Sequence, residues 1–243
     1  MAESCLFYYI TDRKAFPGDE IARRLRLLDK IAEAASQGVN YIQLREKDLS
    51  PRELKSLASE AMRLILELRT ENRELRTALL INSRTDIAIA TGTNGVHLRS
   101  EDISPQEVRT FWQEACGAGP LTRENSARDP VIAISCHSPE EVAQAAANRA
   151  TFAVFAPVFE KKGAPGAVPQ GPEALAQACR ARIPVLALGG VTLQNAESCL
   201  RAGAARIAAI RLFQENDIAT IVSRLRGCWR TAKGHASLQR GLL

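Results

Sequence analysis

Short apolar runs rich in β-branched residues alternate along the chain with longer stretches of helical periodicity. Each run is four to six residues long, the usual length of a buried strand. The predicted strands are Leu6–Thr11, Tyr41–Leu44, Ala78–Asn82, Gly95–Leu98, Val131–Ser135, Phe152–Phe155, Val185–Leu188 and Arg206–Ile210. The predicted helices are Asp19–Gln37, Ser50–Leu68, a short one after Thr85, Ser104–Ala115, Ser138–Asn148, Gly171–Arg180, Gln194–Arg201 and Asp217–Arg226.

Three of the predicted helices begin with the same pattern, Ser50-Pro51-Arg52-Glu53, Ser104-Pro105-Gln106-Glu107 and Ser138-Pro139-Glu140-Glu141. In each, the serine can accept from the amide three residues on, the proline needs no donor, and the glutamate can reach back to the cap. Each cap follows a strand by three to six residues, so the strands are joined by short loops and helical crossovers. Such connections predict parallel strands.

Eight strand–helix units predict a single α/β domain, a (β/α)8 TIM barrel, at residues 1–226, followed by a basic C-terminal tail at 227–243. The alternative is an open doubly wound sheet, but no G-x-G-x-x-G motif follows the first strand, where the chain reads Thr11-Asp12-Arg13. Two connections are long. We expect Gly117–Pro130 to lie away from the site and Glu160–Pro172 to be a lid over it.

Composition limits the classes of protein that this chain can be. With 243 residues, 46% hydrophobic and 24% charged, it is neither collagen-like nor disordered. The net charge of +5 arises after Ile218, where five basic residues have no acidic counterpart, so we expect a solvated helix rather than a nucleic-acid surface. Six cysteines without a C-x-x-C pair, no secretory leader and no long apolar run predict a cytoplasmic protein that binds no membrane.

Polar residues gather where the predicted strands end, which is where barrels of this fold place their active sites. Gln43, Arg45 and Lys47 are spaced by two, so they share one face of an extended strand while Leu44 occupies the other. Two inward cations and an amide favour a phosphate or diphosphate ligand. The alternative is a strand end whose charges extend into solvent.

Four further strand-end groups are candidate functional groups, and three of them have an ordinary structural alternative. Gly189-Gly190 and Arg211 could bind a phosphate, or the glycines could form a tight turn. Asp102 could hold Mg²⁺, or it could pair with Arg99. His137 could act as an acid or base, or could simply flank a helix.

The short sequence motifs at these strand ends together resemble those of the thiamine phosphate synthase and thiazole tautomerase superfamily over Tyr8–Phe213. They are Gln43-Leu44-Arg45-Glu46-Lys47, Ile81-Asn82, Gly95-Val96-His97-Leu98 before Asp102, Ser135 with His137, Pro157-Val158-Phe159 and Leu188-Gly189-Gly190. For a synthase the resemblance implies transfer of hydroxymethylpyrimidine from its diphosphate to hydroxyethylthiazole phosphate, with release of pyrophosphate.

The resemblance also implies roles for individual residues. The diphosphate would be held by Gln43, Arg45, Lys47, Asn82, Ser135 and Lys161, and the thiazole phosphate by Gly189, Gly190 and Arg211. Asp102 would hold Mg²⁺, and Lys161, Ser135 and His137 would be the catalytic residues. The partners would be small phosphorylated substrates, and the oligomeric state, a homodimer included, stays open.

The chain departs from the synthase pattern at four places. Ser83 stands where synthases have a second acidic residue, Arg99 where they have glycine, and Arg211 where they have serine. The usual Thr-x-Thr-Lys of the sixth loop is shortened to Glu160-Lys161-Lys162. Glu160 or Glu101 is a candidate for the missing carboxylate.

Two other functions are therefore kept as alternatives. A thiazole tautomerase would move a proton on a thiazole carboxylate phosphate without metal, with His137 as its acid and base. A member without catalysis would only bind a phosphorylated ligand.

Overall fold

The computed structural model describes residues 7–117, 129–160 and 168–240 of the chain. Its strands form a closed barrel in which every strand pairs in parallel with the next and the last pairs with the first. They are β1 (Phe7–Ile10), β2 (Tyr41–Leu44), β3 (Ala78–Asn82), β4 (Gly95–Leu98), β5 (Val131–Cys136), β6 (Phe152–Phe155), β7 (Val185–Ala187) and β8 (Arg206–Ala209). The predicted single (β/α)8 barrel is confirmed.

Helices follow the strands as the periodicity predicts. They are α1 (Glu20–Ser36), α2 (Pro51–Glu71), α3 (Thr85–Thr91), α4 (Pro105–Gly117), α5 (Pro139–Ala147), α6 (Gly171–Ala178), α7 (Ala196–Arg201), α8 (Arg211–Gln214) and α9 (Ile218–Arg240), and a 3-10 turn lies at Arg13–Ala15. Two features were not predicted. The short α8 follows β8 directly, and α9 continues past residue 226 to Arg240, with Leu225 and Ala232 buried against the barrel.

The serine caps form as predicted, with one difference. Ser50 and Ser104 accept from the amides of Glu53 and Glu107, whose carboxylates reach back to the cap amides. At α5, Ser138 also caps the helix. The partner of this cap, Glu141, instead accepts from the amide of His137, at 2.8 Å. The third cap is thus tied to a candidate site residue.

Alternate residues of each strand face the helices or the barrel interior, because side chains on a strand alternate between its two faces. Leu44 packs among the helix-facing residues, as its position between Gln43 and Arg45 predicts. The interior is filled by the apolar residues Tyr8, Ile10, Leu80, Ala133, Phe152, Val154, Leu186 and Ala208. The lower barrel is therefore a packed core, and ligand space is left at the carboxyl ends of the strands.

A buried ion-pair cluster closes the seam between β1 and β2. Arg13, which is 3% exposed, binds Glu46 at 3.2 Å and Asp48 at 2.7 Å. Glu46 also accepts from the Thr11 hydroxyl at 2.5 Å. The hydrogen bond from Arg13 holds the pKa of Asp48 well below its usual range. These bonds fix the segment that carries Arg45 and Lys47.

Some sequence predictions lie outside the described residues. Residues 118–128 of the long αβ segment and residues 161–167 of the predicted lid, Lys161 among them, are not described. None of the helices within the described ranges is both long and apolar enough to cross a bilayer.

Candidate active site

Inward-facing polar side chains cover the apolar core at the carboxyl ends of β2 to β5. The Gln43 side chain donates from Nε2 to Asn82 Oδ1 at 2.7 Å. Gln43 is 1% exposed, and its Oε1 has no hydrogen-bond partner within the described ranges. An unpaired buried carbonyl is costly, so this oxygen is suited to accept from a donor on a ligand.

His97 belongs to this polar layer although the sequence did not single it out as a site residue. Its Nδ1 lies 2.7 Å from the Tyr8 hydroxyl and its Nε2 lies 2.8 Å from Ser135 Oγ. Burial, followed by the nearby charge of Arg45, lowers the pKa of His97 to about 3, so the ring is neutral. His97 lies opposite Asn82 in the pairing of β3 with β4, a register that the sequence alone does not give.

The hydrogen-bond chain through His97 fixes the direction of the Ser135 proton. Among the described residues, His97 is the one partner found for the Tyr8 hydroxyl, whose pKa burial raises well above its usual value. Tyr8 therefore donates to Nδ1, because a buried unpaired hydroxyl costs about 1–3 kcal/mol. Nε2 then carries the hydrogen and donates to Ser135. The Ser135 hydroxyl is left free to donate to a ligand.

Three cations meet beside this layer. The charge of Arg45, then partial burial and the charge of Arg99, lower the pKa of Lys47. Lys47 and Arg99 line a cavity of about 320 Å³ together with Asn82 and Ser83. No carboxylate of the described residues lies within 4.0 Å of Arg45 or Lys47. These two cations are therefore available to an anion.

Asp102 contacts Arg99, the second of the alternatives that its sequence position allowed. Its Oδ2 accepts from the Arg99 amide at 2.8 Å, and its Oδ1 accepts from Nη2 at 2.8 Å and from Nε at 3.2 Å. Burial acts to raise the pKa of Asp102, but hydrogen bonds from the Arg99 amide, the Ser83 hydroxyl and the Arg99 guanidinium lower it. The carboxylate is therefore ionised and engaged.

The donor set around Asp102 fits a magnesium ion poorly. Mg²⁺ favours carboxylate oxygens, but the neighbouring position is Ser83, and both Asp102 oxygens already accept from Arg99. Glu101 lies 3.1 Å from the Arg99 guanidinium, and Glu160 follows β6, close to Gly190. In the part of the chain that the structure describes, no three His, Cys, Asp or Glu side chains are grouped to share a metal.

His137 is held at two points at the barrel mouth. Its amide donates to Glu141, and its Nδ1 lies 2.7 Å from the carbonyl of Ala156. A carbonyl can only accept, so Nδ1 carries the hydrogen, and in the neutral ring Nε2 has the free lone pair. The side chain is exposed. His137 is thus an oriented imidazole with one nitrogen open to a ligand.

The candidate phosphate-binding residues lie after β7 and β8, which are neighbouring strands. Gly189 and Gly190 have φ values of +93° and +64°. A Cβ on Gly190 would lie 2.8 Å from the carbonyl carbon of Phe159, so only glycine fits beneath the loop that follows β6. Arg211 begins α8, is exposed, and lies 3.9 Å from Glu215.

The structure thus brings together most, but not all, of the predicted site. Gln43, Asn82 and Ser135 join the polar layer, with Arg45 and Lys47 at its edge. Asp102 lies in the same region but binds Arg99. Within the described ranges no hydrogen bond or ion pair joins the glycine pair or Arg211 to these groups, and Lys161 lies outside the described residues.

Comparisons with known proteins show which family the chain resembles. The family model for thiamine monophosphate synthase matches residues 7–213. The thiamine-phosphate synthase of Chlorobium luteolum is 36% identical over 203 residues, which cover 83% of this chain and 81% of that protein. The thiamine-phosphate synthase of Syntrophomonas wolfei is 32% identical over 227 residues, 91% of this chain and 95% of that protein.

A solved structure extends the likeness to three dimensions. The thiamine phosphate pyrophosphorylase from Pyrococcus furiosus has a TM-score of 0.71 and 25% identity, covering 94% of this chain and 96% of that chain. The 3-hexulose-6-phosphate synthase structure, at 16% identity and a TM-score of 0.59, shares the fold alone. From the barrel, its polar strand ends and these matches, we conclude that the chain belongs to the thiamine monophosphate synthase family.

Proposed function

We propose that the protein is a transferase that joins hydroxymethylpyrimidine diphosphate to hydroxyethylthiazole phosphate and releases pyrophosphate. The observation that carries this proposal is the group of cations at the ends of β2 and β4 in a member of this family. Arg45 and Lys47 have no carboxylate within 4.0 Å among the described residues. Such unpaired cations suit the diphosphate of the first substrate.

The chain's own groups favour departure of pyrophosphate. When the carbon–oxygen bond to the pyrimidine breaks, negative charge builds on the leaving oxygens. Arg45 and Lys47 stabilise that charge more strongly as it develops, and the Ser135 hydroxyl donates to it. The thiazole nitrogen then forms the new bond to the pyrimidine methylene carbon.

Gln43 offers a contact of another kind. Its unpaired Oε1 is an acceptor, which an anion cannot satisfy, whereas its Nε2 is bound to Asn82. The exocyclic amino group of the pyrimidine is a donor that matches it. We therefore assign Gln43 to the pyrimidine ring rather than to the diphosphate that the resemblance implies.

The Mg²⁺ that the resemblance implies stays a prediction, with Asp102 as the residue that would hold it. Bound magnesium would supply charge to the leaving pyrophosphate. Because Asp102 is engaged by Arg99 and Ser83 is not a carboxylate, the residues present do not fit it, and the steps above do not use it. The thiazole phosphate contacts of Gly189, Gly190 and Arg211, and the catalytic role of Lys161, likewise stay predictions.

A product assay with both substrates tests the synthase. We expect thiamine phosphate and pyrophosphate to form in equal amounts, and Arg45→Ala to lower kcat by about 10²-fold or more because it removes charge stabilisation. Arg63→Ala is the control, since Arg63 is an exposed residue of α2 paired with Glu67. Absence of product at saturating concentrations of both substrates would exclude the synthase.

The geometry of His137 favours one second candidate, a thiazole tautomerase. With Nδ1 bound to the Ala156 carbonyl, the free Nε2 can take a proton from carbon and return it elsewhere on the ring. This reaction requires no diphosphate and leaves the cations of β2 without a defined role, so the synthase remains the main proposal.

This candidate is tested by measuring the tautomerisation of thiazole carboxylate phosphate, with proton exchange monitored in NMR spectra. His137→Ala should slow it roughly 10²-fold or more if this ring carries the proton. Arg63→Ala again serves as the control. A His137→Ala variant as fast as the unaltered protein would rule out His137 as the proton carrier.

A further inference from the structure

Arg99 lies on the cavity at the ends of β2 to β4, in the region where a divalent cation was predicted. It lines this cavity together with Lys47, Asn82 and Ser83. We propose that Arg99, fixed by Asp102, is itself a ligand of the diphosphate, so that the chain binds pyrophosphate without a divalent cation. This inference rests on the proposed function and concerns the same site.

The hydrogen bonds of Arg99 hold its guanidinium in one place and leave part of it free. Nε and Nη2 donate to Asp102, and Nη1 lies 3.1 Å from Glu101. Asp102 also accepts from the Arg99 amide, so backbone and side chain are tied to one carboxylate. A guanidinium has five N–H groups, and at least two remain for another acceptor. An oriented fork of this kind suits phosphate oxygens.

The charges around the cavity favour an anion even though Arg99 is paired. Arg45 and Arg99 both lie close enough to Lys47 to lower the pKa of its ammonium group, and Arg45 has the larger effect. The carboxylate of Glu46, which also lines the cavity, is engaged by Arg13 and the Thr11 hydroxyl. A diphosphate carries several negative charges and would relieve the repulsion among these cations.

The residues that would hold a metal are altered together. By the resemblance, Ser83 stands where synthases carry a second acidic residue, and Arg99 places a fixed positive charge beside Asp102. A second cation next to Arg99 would be repelled by it. Ser83 also has φ +55°, a left-handed conformation that aspartate adopts more readily than serine. The backbone therefore still accepts an acidic residue here, which makes the substitution Ser83→Asp feasible.

Calorimetric titration with inorganic pyrophosphate, with and without Mg²⁺ and with a chelator present, tests the inference on the unaltered protein. We expect the same dissociation constant in chelator as in Mg²⁺. Arg99→Gly should weaken metal-free binding by about tenfold to a hundredfold, the effect of losing a charged hydrogen-bonding partner. Arg63→Ala, on the outer face of α2, is the control and should bind as the unaltered protein does.

The double variant Ser83→Asp, Arg99→Gly should make the binding dependent on Mg²⁺, because it restores a second carboxylate and removes the competing charge. If the glycine variant does not fold, Arg99→Lys provides a second binding measurement, because it keeps the charge and removes the planar guanidinium. Its metal-free binding should be weaker than that of the unaltered protein.

Three results would overturn the inference: pyrophosphate binding that disappears in chelator, Arg99→Gly or Arg99→Lys binding unchanged, or no pyrophosphate binding under either condition. Its failure is distinguishable from failure of the proposed function. Turnover of both substrates together with pyrophosphate binding that disappears in chelator would leave the synthase standing and remove the role of Arg99. Metal-free pyrophosphate binding without turnover would do the reverse.

Discussion

At the scale of single residues, His97 shows how a buried polar group can prepare a site from below. It stands between Tyr8 and Ser135 and is 2% exposed. Neither neighbouring hydroxyl carries a negative charge that could stabilise a buried imidazolium, so the neutral ring is the stable form. Its role is to present the Ser135 hydroxyl with the proton pointing to the ligand.

The acid sensitivity of the fold should follow from His97. Its pKa is lowered from 6.5 to about 3 on folding, so the unfolded chain binds a proton at pH values where the folded chain does not. The contribution is fully present above pH 6.5 and is lost as the pH falls towards 3, at up to about 1.4 kcal/mol per pH unit. Denaturant unfolding measured at several pH values checks this.

The variant His97→Gln is the comparison for that measurement, because an amide hydrogen-bonds but does not titrate. Its free energy of unfolding should fall less steeply between pH 6.5 and 4 than that of the unaltered protein. Equal slopes would mean that another group is responsible for the acid sensitivity.

Glu141 is a second residue whose role depends on its surroundings. The cap pattern predicts that it binds back to Ser138, as Glu53 and Glu107 do at their helices. It accepts instead from the His137 amide, which lies in the loop leading into α5. The first turn of α5 therefore holds the backbone of the candidate acid–base residue.

At the scale of elements, the loops after β6 and β7 are joined by backbone bonds. The Val158 amide donates to Leu188 and the Phe159 amide donates to Gly189, each at 2.9 Å. Gly190 then turns beneath Phe159. The stem of the predicted lid is thus an extension of the barrel wall. Its close packing is possible because Gly190 has no side chain.

Gly190→Ala should destabilise the protein by about 1–3 kcal/mol. The new methyl group would collide with the backbone after β6, and alanine is strained at φ +64°. Gly227→Ala is the matched control, since Gly227 lies within α9 with nothing within 4 Å of an added Cβ. Helix propensity should make that variant more stable, by up to about 1 kcal/mol.

Thermal or denaturant unfolding of the two variants gives the comparison. Opposite signs for the same chemical change would confirm that the packing around Gly190 is decisive. A Gly190→Ala variant as stable as the unaltered protein would contradict the close packing of these two loops.

At the scale of the whole molecule, barrel closure gathers residues that are distant in sequence. Tyr8, His97 and Ser135 come from β1, β4 and β5, yet they form one hydrogen-bonded chain. The Arg13 cluster at the β1–β2 seam sits beside the same end of the barrel. The candidate site thus depends on contacts that exist only once the barrel has closed.

Much of the site could be located in advance, and the remainder could not, for a physical reason. The spacing of two placed Gln43 and Arg45 on the inner face, because strand periodicity is a local property. The choice of Asp102 between a metal and Arg99 was open, because it depends on side-chain conformations that the sequence does not encode locally. The role of His97 was missed, because nothing near it in the sequence indicates which residues it hydrogen-bonds to.

Local sequence patterns were enough to predict the strands, the helix caps, the closed parallel barrel and the end at which polar groups collect. These follow from hydrophobic periods of two and about 3.6 residues and from capping chemistry, all of which act over a few neighbouring residues. The folded chain was needed to show that Asp102 binds Arg99, that His97 orients Ser135, that Glu141 holds His137 and that α9 runs on to Arg240. Each of these is a contact whose partner and geometry depend on how the folded chain packs.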